Sequence, residues 1–260
     1  KLPPLEGLPA NNFVDCAEEA ETKVTTLDNG VRVGSLEMAG AWCAVSVIVG
    51  VGARHETDKT IGCAHFLDRL AYKSTRKFDH ATLMNRLQDL GGNFLCTSNR
   101  ETIMYQGMVF HEHLDDAMEV LSEVALHAQY TEPEIDEHRQ IIGWEVAELT
   151  ERSEIFVPEL LHRAAYGEST LGRAYICNVD EAQLITTETL QNFRNDFFVG
   201  ERLVISGAGM AHETLVELSN KHFGCVPNTP SPIDEISEVT FFVCFFNLTT
   251  TASSTSSSSS

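Results

Sequence analysis

Gly62-Cys-Ala-His65-Phe-Leu-Asp68-Arg69-Leu-Ala-Tyr72 is the stretch whose reading decides the rest of the chain. Cys63, Phe66, Leu67, Leu70 and Ala71 recur at steps of three and four residues, which predicts an amphipathic helix over about 62–73. His65, Asp68 and Arg69 share another face of that helix, because residues three and four apart are neighbours on its surface. One helical turn therefore presents an imidazole, a carboxylate and a guanidinium together.

With Glu at 68 and His at 69 the same stretch would read H-x-x-E-H. In that inverted zinc-peptidase pattern two histidines one turn apart hold Zn²⁺ and the Glu between them activates water. The frame is present here and its chemistry is altered. Catalytic zinc takes about three protein ligands and keeps an open position for water. Arg69 has no lone pair to give and repels a cation. Asp68 has the chemistry of a base, but it is one methylene shorter than Glu. A reach shortened by about 1.5 Å is a serious loss where placement must hold to a fraction of an ångström.

The chain has 260 residues, of which 43% are hydrophobic, enough for one large domain or two small ones. No apolar run approaches about 18 residues, so no membrane span is expected. A net charge of −20 repels nucleic acid and attracts cationic partners such as basic peptides. The plainer reading of that charge is a solvated surface that keeps the protein soluble. Cysteines stand at 16, 43, 63, 96, 177, 225 and 244, odd in number and without a C-x-x-C. That pattern opposes a disulfide scaffold or a cysteine-held zinc, and most of them read as small buried hydrophobes.

Outward from the central helix, residues 1–22 read as an irregular acidic arm with Pro3, Pro4 and Pro9. Its first residues show neither an Arg-rich amphipathic presequence nor a signal peptide. Thr25-Thr-Leu-Asp-Asn29-Gly30-Val-Arg-Val33 predicts a hairpin about its Asn-Gly turn. Residues 44–49 are rich in β-branched side chains with little alternation and predict a central strand. Asp79 caps a helix to Leu90, which Gly91-Gly92 stops, and strands follow at 93–98 and 102–110. A helix is expected over 114–126. Thr131-Glu-Pro-Glu134 is a capping box that opens another, running to about Leu149. Further helices are expected near 156–166, 187–197 and 212–222, with a strand at 202–208. The order of elements predicts an α+β fold, one mixed, mainly antiparallel sheet covered by helices, over residues 23–238. Residues 239–260 pass from Phe241-Phe-Val-Cys-Phe-Phe246 into a Ser/Thr tail and read as aberrant, disordered or truncated.

Several stretches together resemble the pitrilysin/insulinase metallopeptidases, and within them the α-type subunits of the mitochondrial processing peptidase. They are Thr26-Leu-Asp-Asn-Gly-Val-Arg-Val33, Gly52-Ala-Arg54, the 62–71 stretch with Ser74-Thr75, Arg100-Glu-Thr-Ile-Met-Tyr105, Ala164-Ala-Tyr166 and Thr170-Leu-Gly172. Each is weak alone; in this order, over about 24–225, they are specific. The resemblance implies a third zinc-ligand position, a Glu some 76 residues beyond the second motif histidine, and Glu145 stands 76 residues beyond Arg69. His65, Arg69 and Glu145 are then the vestigial zinc-site positions, with Asp68 at the degenerate base position. The supporting Glu that catalytic members carry falls at His138. Arg69 is expected to lie close to Asp68 and Glu145 and neutralise the old site.

The resemblance further implies a chain without zinc or peptidase activity of its own. It would form a heterodimer with a zinc-bearing β-type subunit and help capture basic amphipathic presequences of imported precursors, in the mitochondrial matrix or on the matrix face of the inner membrane. The acidic runs at 115–123, 132–137 and 145–154 are candidate contributors to that capture. A structural core subunit of the respiratory cytochrome bc1 complex is an alternative from a different class, and an active zinc peptidase a third, opposed by Arg69. Such α-type subunits are about twice this length and carry a glycine-rich loop that this sequence lacks. His111-Glu-His113 offers two further imidazoles but no evident third ligand.

Overall fold

The computed structural model describes residues 21–174 and 176–229. The acidic arm up to residue 20, the tail at 239–260, Cys16 and Cys244 lie outside the described residues. Six strands, β1 (Thr22–Thr26), β2 (Arg32–Leu36), β3 (Trp42–Val49), β4 (Asn93–Ser98), β5 (Ile103–Phe110) and β6 (Leu203–Ala208), form one sheet in the order β1-β2-β6-β3-β5-β4. Only β2 and β6 run parallel; every other neighbouring pair is antiparallel. The α+β fold, with its mixed, mainly antiparallel sheet, is the one the element order predicted.

The Asn29-Gly30 turn joins β1 to β2, with Gly30 at φ +89°, a backbone state in which glycine meets no Cβ penalty. Strand β3 is central, and it is not buried on both faces. Cys43, Val45, Val47 and Val49 are buried, while Ala44, Ser46 and Ile48 between them are half-buried. The register places Val47 opposite Tyr105 and Ile205, which are buried with it. One sheet face thus carries the core and the other stays partly open. The residue types of β3 report its β propensity, and the tertiary packing decides how much of each face is covered.

Eight α-helices and four single-turn 3-10 helices complete the described chain; the α-helices are α1 (Cys63–Arg69), α2 (His80–Asp89), α3 (Leu114–Leu126), α4 (Glu132–Glu151), α5 (Ser153–Tyr166), α6 (Val179–Ala182), α7 (Thr187–Phe197) and α8 (His212–Phe223). Asp79 caps α2 by accepting from Thr82 N at 2.7 Å. At the start of α4 the Glu134 carboxylate accepts from the backbone N–H of Thr131 at 3.2 Å and from its hydroxyl at 2.7 Å. The other oxygen of Glu134 accepts from Ser74 N at 2.9 Å and Ser74 Oγ at 2.7 Å, tying α4 to the segment that follows α1.

Stretches far apart in sequence meet in space. Gly52 passes so close to residues 99–101 that a Cβ would lie 2.3 Å from Asn99 O. Arg54 N donates to Arg100 O at 3.0 Å, and Arg100 Nε donates to Leu171 O at 2.9 Å. Arg100 also pairs with Glu159 of α5 at 2.7 Å. Gly52-Ala-Arg54, Arg100-Glu-Thr-Ile and Thr170-Leu-Gly172 therefore form one contiguous seam beside α1.

Candidate functional site

Helix α1 is shorter than its sequence pattern, ending at Arg69 with Leu70 as its cap. Its N-terminus is fixed from outside. Gly62, the N-cap, sits at φ +87°, and the buried Glu56 side chain accepts from Gly62 N and Ala64 N, both at 2.8 Å. The oxygens of a carboxyl group there satisfy backbone donors that have no partner within the helix. Burial raises the Glu56 carboxyl to about 8, against the lowering effect of those two bonds.

On the face that His65, Asp68 and Arg69 share, His65 is turned inward, Asp68 is half-buried and Arg69 stays exposed. His65 is only 1% exposed, as buried as Phe66 and Leu67. It meets α4, where His138 and Glu145 stand seven residues apart, two turns along one stripe. His65 Nε2 lies 3.1 Å from Glu145 Oε2, and His138 Nε2 lies 4.0 Å from the same oxygen. The two imidazoles meet edge to face, with ring centres 5.2 Å apart. The ring of Phe66 also packs edge to face against His138, with ring centres 4.8 Å apart. His65 Nδ1 faces the buried Cys177 Sγ at 3.6 Å.

Arg69 Nε pairs with Glu145 Oε1 at 2.8 Å, so the guanidinium holds one carboxylate oxygen while the other faces the imidazoles. The expected Arg69–Glu145 contact is present. Asp68 takes a different partner: its Oδ2 accepts from Ser98 N and Ser98 Oγ, each at 2.9 Å, which binds α1 to the end of edge strand β4. Burial pushes His138 well below the usual histidine range, and the neighbouring His65 adds to the effect, so its imidazole is neutral near pH 7. Burial works to raise the Glu145 carboxyl, but His65, Arg69 and His138 together hold it below the ordinary carboxylate range.

Of the positions singled out in the sequence, His65, Arg69 and Glu145 come together and Asp68 borders them. Zinc does not fit the set His65–Arg69–Glu145, because a guanidinium cannot ligate. It has a second imidazole within reach only through His138. Sequence reasoning marked His138 as a departure and did not count it as a donor, although its seven-residue offset from Glu145 already put both on one helix face. Ser98 and Cys177 carried no signal, since only the fold brings them near. His111 of the H-x-H pair is exposed and lies 3.0 Å from Gly40 O through Nε2. Among the described residues, His65, His138 and Glu145 are the group placed to share a cation, with ligand atoms all within 4.8 Å of one another.

Comparison with known proteins bears on this geometry. The profile of the family described as Insulinase (Peptidase family M16) matches residues 33–179. The mitochondrial-processing peptidase subunit alpha of Neurospora crassa is 35% identical over 235 residues, covering 86% of this chain and 41% of that protein. The subunit of the same name from Rattus norvegicus is 36% identical over 224 residues, covering 84% of this chain and 43% of its own. The chain thus spans about two fifths of the length of these relatives. Among solved structures, a protease from Helicobacter pylori superposes with a TM-score of 0.76 at 21% identity, over 85% of this chain and 54% of that one, which speaks for a shared fold.

Proposed function

The chain belongs to the Insulinase (Peptidase family M16) family, and from that premise we propose that it acts as a non-catalytic, α-type subunit of a mitochondrial processing peptidase. The observation that carries the reading is the Arg69–Glu145 ion pair at 2.8 Å. A permanent cation occupies the position where a hydrolase of this kind needs its second motif imidazole. Beside it, the Asp68 carboxylate accepts two bonds from Ser98, which hold it in place where a base must turn to water. In this reading a β-type partner holds the zinc that cleaves. This chain brings an acidic surface that draws basic amphipathic presequences to the pair, in the mitochondrial matrix.

Helices α4 and α5 support a partner-bound role. Trp144 is 80% exposed, Leu161 66% and Val157 58%, and α5 fully buries none of its side chains. Large apolar groups left open on adjoining helices are what a subunit interface covers. The similarity to α-type processing subunits supports this reading over a bc1 core subunit, which no observation favours.

The test is cleavage of a basic presequence peptide by the chain alone, by a zinc-bearing β-type subunit alone, and by both. The expected outcome is no cleavage by the chain alone, measurable peptide binding by it, and faster cleavage by the mixture than by the β-type subunit. Metal-dependent cleavage by the chain alone overturns the reading.

A further inference from the structure

Three buried polar atoms converge between α1 and α4 with no hydrogen-bond partner: His65 Nε2, His138 Nε2 and Glu145 Oε2. His65 Nε2 approaches Glu145 Oε2 to 3.1 Å without hydrogen-bond geometry. Buried donors and acceptors are ordinarily paired, so three orphans aimed at one point ask for a common partner. Two imidazoles and a carboxylate are a donor set that borderline-soft divalent cations accept.

We propose that this chain binds a divalent zinc-class cation through His65, His138 and Glu145, a rewired site in which the second imidazole comes from α4 and not from residue 69. A tetrahedral zinc ion with bonds of about 2.0–2.1 Å holds its ligand atoms about 3.3–3.4 Å apart. The His65–Glu145 separation of 3.1 Å is already near that value. The 4.0 Å between His138 and Glu145, and the 4.8 Å limit over all three atoms, need contractions of about 1.5 Å or less, within the reach of side-chain rotation.

The surroundings suit such a site. Arg69 holds Glu145 Oε1 and leaves Oε2 free to face the imidazoles, the outer-shell arrangement that orients a carboxylate ligand. Cys177 faces the opposite nitrogen of His65, at 3.6 Å, and so sets the ring's orientation without competing for the cation. Phe66 stacks edge-on against His138 and keeps its ring turned toward Glu145. The nearby guanidinium charge lowers affinity for a cation, and Asp68 is held by Ser98. The site is therefore one for binding and for clamping α1 to α4, not for activating water.

The full chain, stripped with a chelator and dialysed, is titrated with Zn²⁺ and with Co²⁺. One equivalent of metal per chain is expected, with the visible absorption of four-coordinate Co²⁺ and a raised melting temperature. His138→Ala is expected to weaken binding by more than the roughly 10- to 100-fold that loss of an outer-shell partner costs. His111→Ala, outside the site, is expected to leave it unchanged. Because His138→Ala perturbs a buried position, imidazole ¹⁵N shifts of the unmodified chain give a reading that needs no variant. Zinc is expected to move two Nε2 resonances at one equivalent. No histidine shift, or binding equal in His138→Ala and the unmodified chain, overturns the proposal. Peptidase activity is not the readout, so failure here leaves the subunit reading standing.

Discussion

At the residue scale, the buried side chains of this site do work that composition does not display. Glu56 is one of 38 acidic residues, yet it is 5% exposed and caps α1 through two backbone N–H groups. Its carboxyl is raised to about 8 by burial. A carboxyl raised on folding binds its proton more tightly in the native state than in the unfolded one. The stability it contributes is therefore full below the ordinary carboxylate range and is lost as pH rises toward about 8. The melting temperature should fall over that interval, and Glu56→Gln should flatten the fall. An equal slope in the variant would assign the pH dependence to other groups. His65 and Asp68 make the same point. Their spacing was plain in sequence, but whether each faced solvent, a metal or another side chain depended on what packed against α1.

At the element scale, α1 is a seven-residue helix, too short to hold itself together by propensity, and its stability comes from packing and from its caps. Gly62 allows the cap. At φ +87° a β-carbon is strained, and one built there would lie 2.7 Å from Cys177 Cβ. Gly62→Ala should destabilise the protein by about 1–3 kcal/mol. The measurement is a lower denaturant midpoint at an unchanged m-value. Because Cys177 lies against both Gly62 and His65, the same change should disturb the His65 ring. The long helices were legible from sequence because caps and periodicity agreed: α3 follows its predicted bounds, and α4 begins after Thr131 as its capping box requires. The end of α1 was not. Leu70 and Ala71 continue the apolar pattern, and both are buried in the core after the helix has stopped. Periodicity marks residues that face the core and does not mark where the backbone leaves the helix.

At the scale of the whole molecule, the acidic runs proposed to gather basic peptides are largely engaged within the chain. Asp115 pairs with Lys221 and His222, Glu137 with Lys73, and Asp136, Glu119 and Glu148 with arginines or a lysine of their own neighbourhood. What a peptide meets is the excess of acidic over basic groups in a chain whose net charge is −20. Long-range attraction of that kind is screened by salt, with a Debye length of about 8 Å at physiological ionic strength. Anisotropy of a labelled basic amphipathic peptide should show binding weakened several-fold between about 50 and 300 mM salt. A salt-independent affinity would place the recognition in apolar contacts instead.

The sequence by itself determined the fold class and most element boundaries, because these follow from local periodicity, capping and turn chemistry that neighbouring residues encode together, and the resemblance of its ordered stretches to the pitrilysin/insulinase metallopeptidases pointed to the family. It also determined that Arg69 cannot serve as a ligand, a matter of the residue's own chemistry. The tertiary structure alone decided that His65 is buried, that Asp68 is held by Ser98 of β4, and that His138 faces His65 across the α1–α4 contact. Each of these depends on how two elements distant in sequence are packed, and the burial that follows sets both the charge of these groups and the partners within their reach.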